Sequence, residues 1–252
     1  MGGNPIGHIV PGTALLCLAL YLLFVQVSLH RGKYSKSRLI LLGGLGYTAL
    51  ACVGMGVEIY GGAQYGRPFQ AKEHITMYAL FAFAGGIHVS EAVGRLPDET
   101  WRASLGLAML GVGLLFFVHS QMQLMEEHNP VESFVHWLLA MNYFATASCF
   151  FLSWGLEQWR SGFLLTAVAG VLHQTFWFYF LADVLYSGEY GDMGMHLPMG
   201  DATAYFVWDF ILALGIVTIF ECRFRTTTLP SAGARSIHYS KVVDERGGLD
   251  MA

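Results

Sequence analysis

Phe117-Val118-His119-Ser120 lies towards the end of one apolar run, and Phe134-Val135-His136-Trp137 lies in the opening of the next. Between them, Glu126, Glu127, His128, Asn129 and Pro130 form a bend. Ionisable side chains inside membrane-length segments are costly, so by default they mark a functional site. Working outward from this pair, each other apolar run is asked whether it sends a polar group to the same depth. Most of them do.

Composition sets the class. The chain has 252 residues, of which 54% are hydrophobic and 13% charged. Soluble domains carry about 25% charged residues, so the deficit points to a membrane domain. Its 30 glycines suit a helical bundle, in which small residues allow close helix contact. A net charge of −4 gives no support for nucleic-acid binding. Cys17, Cys52, Cys149 and Cys222 lie in or beside apolar runs with no CxxC pair, so neither structural zinc nor a disulfide framework is indicated.

Seven apolar runs are expected as spans across a hydrocarbon core of about 30 Å. They cover about His8–Leu29, Leu39–Tyr60, His74–Val93, Trp101–Met125, Val131–Trp154, Ser161–Tyr186 and Ala202–Cys222. The N-terminus has no basic residue ahead of the first run, which argues against a cleaved signal peptide. Gly61–Lys72 reads as a glycine-rich loop and Ser187–Gly200 as an acidic one. The fold expected is an all-α, seven-transmembrane-helix bundle over residues 1–222, with a flexible cytosolic tail over 223–252. In that tail Tyr239-Ser240-Lys241-Val242 has the form of a sorting signal, a short pattern that often arises by chance.

With seven spans, Arg31, Lys33, Lys36, Arg38, Arg95, Arg102, Arg160, Arg223 and Arg225 fall on one side, and only Arg67 and Lys72 on the other. The positive-inside rule then places the N-terminus outside or lumenal and the tail in the cytosol. Trp101, Trp154 and Trp159 stand near the inner boundary, as an aromatic belt requires. At about 1.5 Å per residue, His8, Glu58 and His74 lie at the outer helix ends, and His119 and His136 somewhat deeper. His173 comes to mid-depth in the sixth span, with Asp183 nearer the surface, and Asp209 lies about two turns into the seventh, aligned with Tyr205.

Two readings of these residues compete. In one they are interfacial or hydrogen-bonded packing residues. In the other they line a lumenal cavity, with His119, His136, His173 and Asp209 as ligands and His8, Glu58, His74, Asp183 and Tyr205 as a polar shell. Histidine with carboxylate suits zinc or another divalent metal, and it suits a proton relay equally well. No HExxH motif specifies a hydrolase. His74 and His88, fourteen apart, have the spacing of a two-haem helix, but no partner helix supplies a pair at the inner level, which disfavours haem.

Gly7-His8 with Pro11-Gly12, Glu58, Glu73-His74-Ile75-Thr76-Met77-Tyr78, Phe116-Phe117-Val118-His119, Val135-His136-Trp137-Leu138-Leu139 and the block from Trp177 to Tyr186 are similar to the transmembrane protein 45 family (domain of unknown function 716). The resemblance covers about His8 to Cys222. It implies a seven-helix protein of the endomembrane system (Golgi or endosome) or the plasma membrane, without an established reaction. The chain departs from that pattern at His119-Ser120-Gln121-Met122, at His173-Gln174-Thr175 and at Trp208-Asp209.

The expected function is a multi-pass membrane protein with a lumen-facing site for a metal ion or protons. The alternatives are a membrane-embedded metal-dependent lipid hydrolase, with zinc activating water, and a non-catalytic trafficking or adaptor protein. The lipid bilayer is the one partner implied. The short turn from Arg95 to Trp101 and the absence of an Asp-Arg-Tyr pattern argue against G-protein coupling.

Overall fold

A backbone in hydrocarbon has no water to satisfy its N–H and C=O groups, so an apolar run of this length closes its own hydrogen bonds as a helix. The computed structural model describes residues 6–31, 34–65, 68–125, 130–186 and 198–226. They form α1 (Ile6–Arg31), α2 (Lys36–Tyr65), α3 (Pro68–Ala92), α4 (Thr100–Met125), α5 (Pro130–Gly155), α6 (Arg160–Tyr186) and α7 (Met199–Thr226). A single 3-10 turn, Glu157–Trp159, precedes α6, and the described residues contain no strand. The described residues are therefore all-helical.

Six of the helices are long and apolar enough to cross a membrane, so this is a multi-pass membrane protein. The exception is α3, whose apolar face is interrupted by Glu73, His74, Thr76, His88, Ser90 and Glu91. Most of the loop expected over Gly61–Lys72 is helical instead. α2 runs through Gly61 and Gly62 to Tyr65, and Pro68 takes the first helical position of α3, where its missing N–H costs nothing. α7 likewise starts at Met199, a little before the expected Ala202, and continues to Thr226. Most of the Ser187–Gly200 loop, and the tail with Tyr239-Ser240-Lys241-Val242, lie outside the described residues.

The most extensive interfaces are α2 with α3 and α4 with α5. The α3–α4, α5–α6 and α1–α6 interfaces, with a thin α1–α2 contact, close a ring of six helices. α7 lies outside it, packed mainly on α6 through Ala202, Phe206, Ala213 and Val217. Apolar attraction does not drive helices together in lipid, so close packing must. α2 and α3 meet backbone to backbone at Gly44 and Gly85, and the Tyr78 ring lies on Gly54.

The turns joining α1 to α2, α3 to α4 and α5 to α6 share one end of the bundle, where Lys36, Arg95, Arg102 and Arg160 gather. Lys36 Nζ stands 2.7 Å from Glu99 Oε1, and Arg102 Nη2 stands 2.9 Å from Glu99 Oε2. Arg102 also donates to the Ser153 carbonyl on α5. Trp154 and Trp159 are exposed at this end, as a belt requires. Trp101 is not: at 2% exposure it packs inward, 5.6 Å from the His88 ring and under the Arg102 guanidinium.

Candidate functional site

The opposite end of the ring gathers imidazoles. His8 opens α1, His74 lies early in α3, His119 late in α4 and His136 early in α5. The His119 and His136 rings meet edge to face at 4.9 Å, and His8 stands 6.2 Å from His136. A Cβ on Gly7 would come within 3.3 Å of His74 Cε1, so the start of α1 rides directly on that ring. Four histidines from four helices thus share one end of the bundle.

Two carboxylates join them. Glu58 at the far end of α2 places Oε1 3.0 Å from His74 Nδ1, at ion-pair distance but off the line of a hydrogen bond. Glu73 reaches His119 Nδ1 at 3.1 Å and 3.3 Å with its two oxygens. His136 is more deeply held, at 5% exposure, and its Nδ1 lies 2.8 Å from the Glu132 carbonyl. A carbonyl only accepts, so Nδ1 carries the proton and Nε2 presents a lone pair. The Phe116 ring stacks under His136 at 5.9 Å and Phe178 lies 6.1 Å from His8, so the floor of the cluster is aromatic.

The α4–α5 junction is fastened beside it. Ser133 Oγ donates to the Ser120 carbonyl, and Gln123 donates to Glu132, tying α4 to α5 on either side of residues 126–129, which lie outside the described residues. His119 and His136 are held together by these ties rather than by adjacency in the chain.

The remaining expected ligands lie elsewhere. His173 is buried between α5, α6 and α7, where Asn142 donates to its Nδ1 at 2.8 Å and the Phe206 and Phe210 rings close around it. Thr146 donates to Asn142 Oδ1, and Gln174 donates to Thr146 Oγ1, which completes a buried network between α5 and α6. His173 therefore belongs to packing, about two helical turns below His136. Asp209 is half-buried on α7, outside the ring, and Tyr205 is 51% exposed beside Phe180. Asp183 is exposed. Among the described residues no three His, Cys, Asp or Glu side chains are placed to hold a metal ion, so His119, His136, His173 and Asp209 do not form one ligand set. A ring of six helices with α7 outside is the physical reason.

The Asn142 network has a direct consequence. Asn142→Ala leaves His173 and Thr146 without their shared partner in a dry interface, and is expected to lower stability by about 2 kcal/mol. Detergent-denaturation curves of the purified chain measure this. The same substitution at His119, nearer solvent and off the α5–α6 interface, should move the midpoint much less.

Glu73 was the carboxylate that sequence reasoning passed over, because its partner His119 is 46 positions away and no local pattern links them. Its position beside His74 at the start of a helix was the one available signal. Tyr78 and Tyr143 were passed over as well, although each shares a face with a cluster histidine, one turn from His74 and two turns from His136. A scan of the chain against protein-family models and a search of curated proteins both find no match.

Proposed function

We propose that this chain is a seven-span membrane protein that takes up protons at its His8/His74/His119/His136 cluster, with the N-terminus and that cluster on the lumenal or extracellular side. The observation that carries the reading is the convergence of four imidazoles and two glutamates from five helices. Histidine is the side chain whose ordinary pKa lies near physiological pH. The pairs His74–Glu58 and His119–Glu73 each accept a proton without leaving an uncompensated charge. His136 commits its Nδ1 to the Glu132 carbonyl and serves to hold α5 against the His119 ring beside these two pairs.

The orientation rests on the basic residues gathered at the other end, and seven spans are needed to keep them on one side. α3 counts as the seventh because it runs beside α2 from the Glu58–His74 pair to the Gly44–Gly85 contact, through the same thickness of bundle. The similarity to the transmembrane protein 45 family stands on the residues quoted above, and with it residence in the endomembrane system or at the cell surface.

A divalent metal is the second reading, favoured by one observation. His136 commits Nδ1 to a carbonyl and His119 commits Nδ1 to a carboxylate, which is how metal-binding histidines are commonly oriented. One experiment separates the readings. The full chain, purified in detergent with labelled histidine, is titrated by NMR between about pH 8 and about pH 5, with and without zinc. Proton uptake predicts that at least two cluster histidines titrate in zinc-free protein, and that His74→Phe with His119→Phe removes those transitions. Stoichiometric zinc lost in a His119→Ala/His136→Ala variant favours the metal. Histidine signals that move with neither pH nor zinc would leave a packing role, as an adaptor protein requires.

A further inference from the structure

α7 stands outside the ring and is the least buried of the six helices apolar enough to cross a membrane. Ala202, Phe206, Ala213 and Val217 turn one face of it to the bundle. Away from that face, Tyr205, Trp208, Leu212, Gly215 and Ile219 follow one another at alternating steps of three and four residues. That spacing is the seam of a left-handed helix pair. Trp208 and Ile219 stand widest open, at 67% and 70% exposure. A Cβ on Gly215 would meet nothing within 4 Å, so a neighbouring backbone can approach closely there.

Asp209 borders this seam, at the flanking position where helix pairs place their charges. Its depth is fixed by its neighbours. Phe206 and Phe210 bring their rings 4.4 Å and 5.5 Å from that of His173, the middle residue of α6. At about 1.5 Å per residue, Asp209 also lies only about 5 Å from the centre of the apolar run 202–222. An acid at that depth is costly, and such residues ordinarily face a bundle interior or pair with another group. Asp209 is on the outermost helix and makes no hydrogen bond or ion pair among the described residues.

The counter-charge must therefore come from outside the chain. Lipid headgroups stay at the surfaces of a hydrocarbon core about 30 Å thick, too far away to reach it. A second copy offers no cation at this level, because every lysine and arginine in the described helices stands within about one turn of a helix end. We propose that the outer face of α7 binds a membrane-spanning helix of another protein, whose mid-span lysine or arginine pairs with Asp209 while its apolar side chains fill the seam over Gly215. The surface is separate from the histidine cluster and needs no change of protonation there.

The test uses the full chain in phosphatidylcholine vesicles, with a donor fluorophore on its C-terminus, and three synthetic peptides that carry an acceptor. Each peptide is an apolar helix of about 20 residues with arginine, leucine or glutamate at its centre. Arginine is the chosen cation because its planar fork can take both carboxylate oxygens. The expected result is energy transfer to the arginine peptide at about tenfold lower peptide-to-lipid ratio than to the other two. Asp209→Asn should remove that preference and leave the denaturation midpoint level, since no contact within the chain is lost. Gly215→Leu, which fills the seam and leaves the charge in place, should weaken binding of the arginine peptide independently. Histidine titration should be unmoved in both variants. No transfer to any peptide, equal transfer to the leucine peptide, a preference that survives Asp209→Asn, or binding undiminished in Gly215→Leu would overturn the proposal. So would energy transfer between two labelled copies of the chain that Asp209→Asn abolishes, because the seam would then belong to a dimer.

Discussion

Gly85→Leu is expected to prevent α2 and α3 from packing, and Gly85→Ala to lower stability by about 1–3 kcal/mol, the usual cost of overfilling a tight contact. A Cβ at Gly85 would overlap Thr48 Oγ1 and lie 2.7 Å from the Gly44 carbonyl oxygen. Thr48 can rotate away, but the Gly44 carbonyl belongs to the helix backbone and cannot. The contact is mutual, since a Cβ at Gly44 would come 2.9 Å from the Gly85 carbonyl. Thr48→Ala should therefore rescue little of the loss in Gly85→Ala, and full rescue would show that the backbone contact is not the limit. Gly86→Ala is the control: nothing lies within 4 Å of its Cβ, and alanine is the better helix former. Denaturation in mixed detergent micelles, read by helical signal, ranks the four variants. The Glu58–His74 pair bridges these two helices, so Gly85→Leu should also separate that pair at the far end.

The consequence reaches the site because only part of the site was legible in sequence. Several helix limits were readable to within a residue or two, since a polar turn interrupts the apolar run: Thr100–Met125 was expected from Trp101, and Arg160–Tyr186 from Ser161, whereas the expected Gly61–Lys72 loop is mostly taken up by α2 and α3. Helix ends also fix depth, which is why His8, Glu58, His74, His119 and His136 were placed at one end from residue counting alone. Lateral position is a different matter. Depth put His173 midway along its span and Asp209 about two turns from that end, but nothing in a one-dimensional pattern says that α7 stands outside the ring or that His173 turns to Asn142. Those outcomes depend on which helix faces interlock, and apolar residues surround every helix here, so periodicity carries little information about facing. The pairing of Glu73 with His119 was missed for the same reason. The glycine contacts that decide facing are visible only once two helices are laid together.

Glu91→Gln is expected to cost about 2–3 kcal/mol even though it changes the side chain by little more than one atom. Glu91 sits at the end of α3, 6% exposed, and both its oxygens are used. Oε1 accepts the Glu99 N–H at 2.8 Å and Oε2 accepts the Trp101 N–H at 2.7 Å. The first N–H groups of a helix have no partner within it, so a side chain from the preceding helix serves as the cap of α4. Glu99 has φ +72°, a left-handed conformation that a non-glycine residue seldom adopts. It is held there by the bond to Glu91 and by its own carboxylate against Lys36 and Arg102. Glutamine keeps one acceptor and turns an amide N–H₂ toward the other backbone N–H, donor against donor. It also removes the negative charge that favours a helix N-terminus. Hydrogen bonds to a charged acceptor contribute about 1.5–3 kcal/mol each, which sets the size of the effect. Glu91→Ala, which leaves both N–H groups unpaired but introduces no opposed donor, should cost about as much. A glutamine variant as stable as the parent protein would mean that the α3–α4 turn finds another partner for these groups, and that the basic end is not fixed by Glu91. If the loss is found, amide exchange should be faster at Glu99 and Trp101 while remaining slow at Leu138 and Leu139, in the buried part of α5, because the turn would open without the ring coming apart.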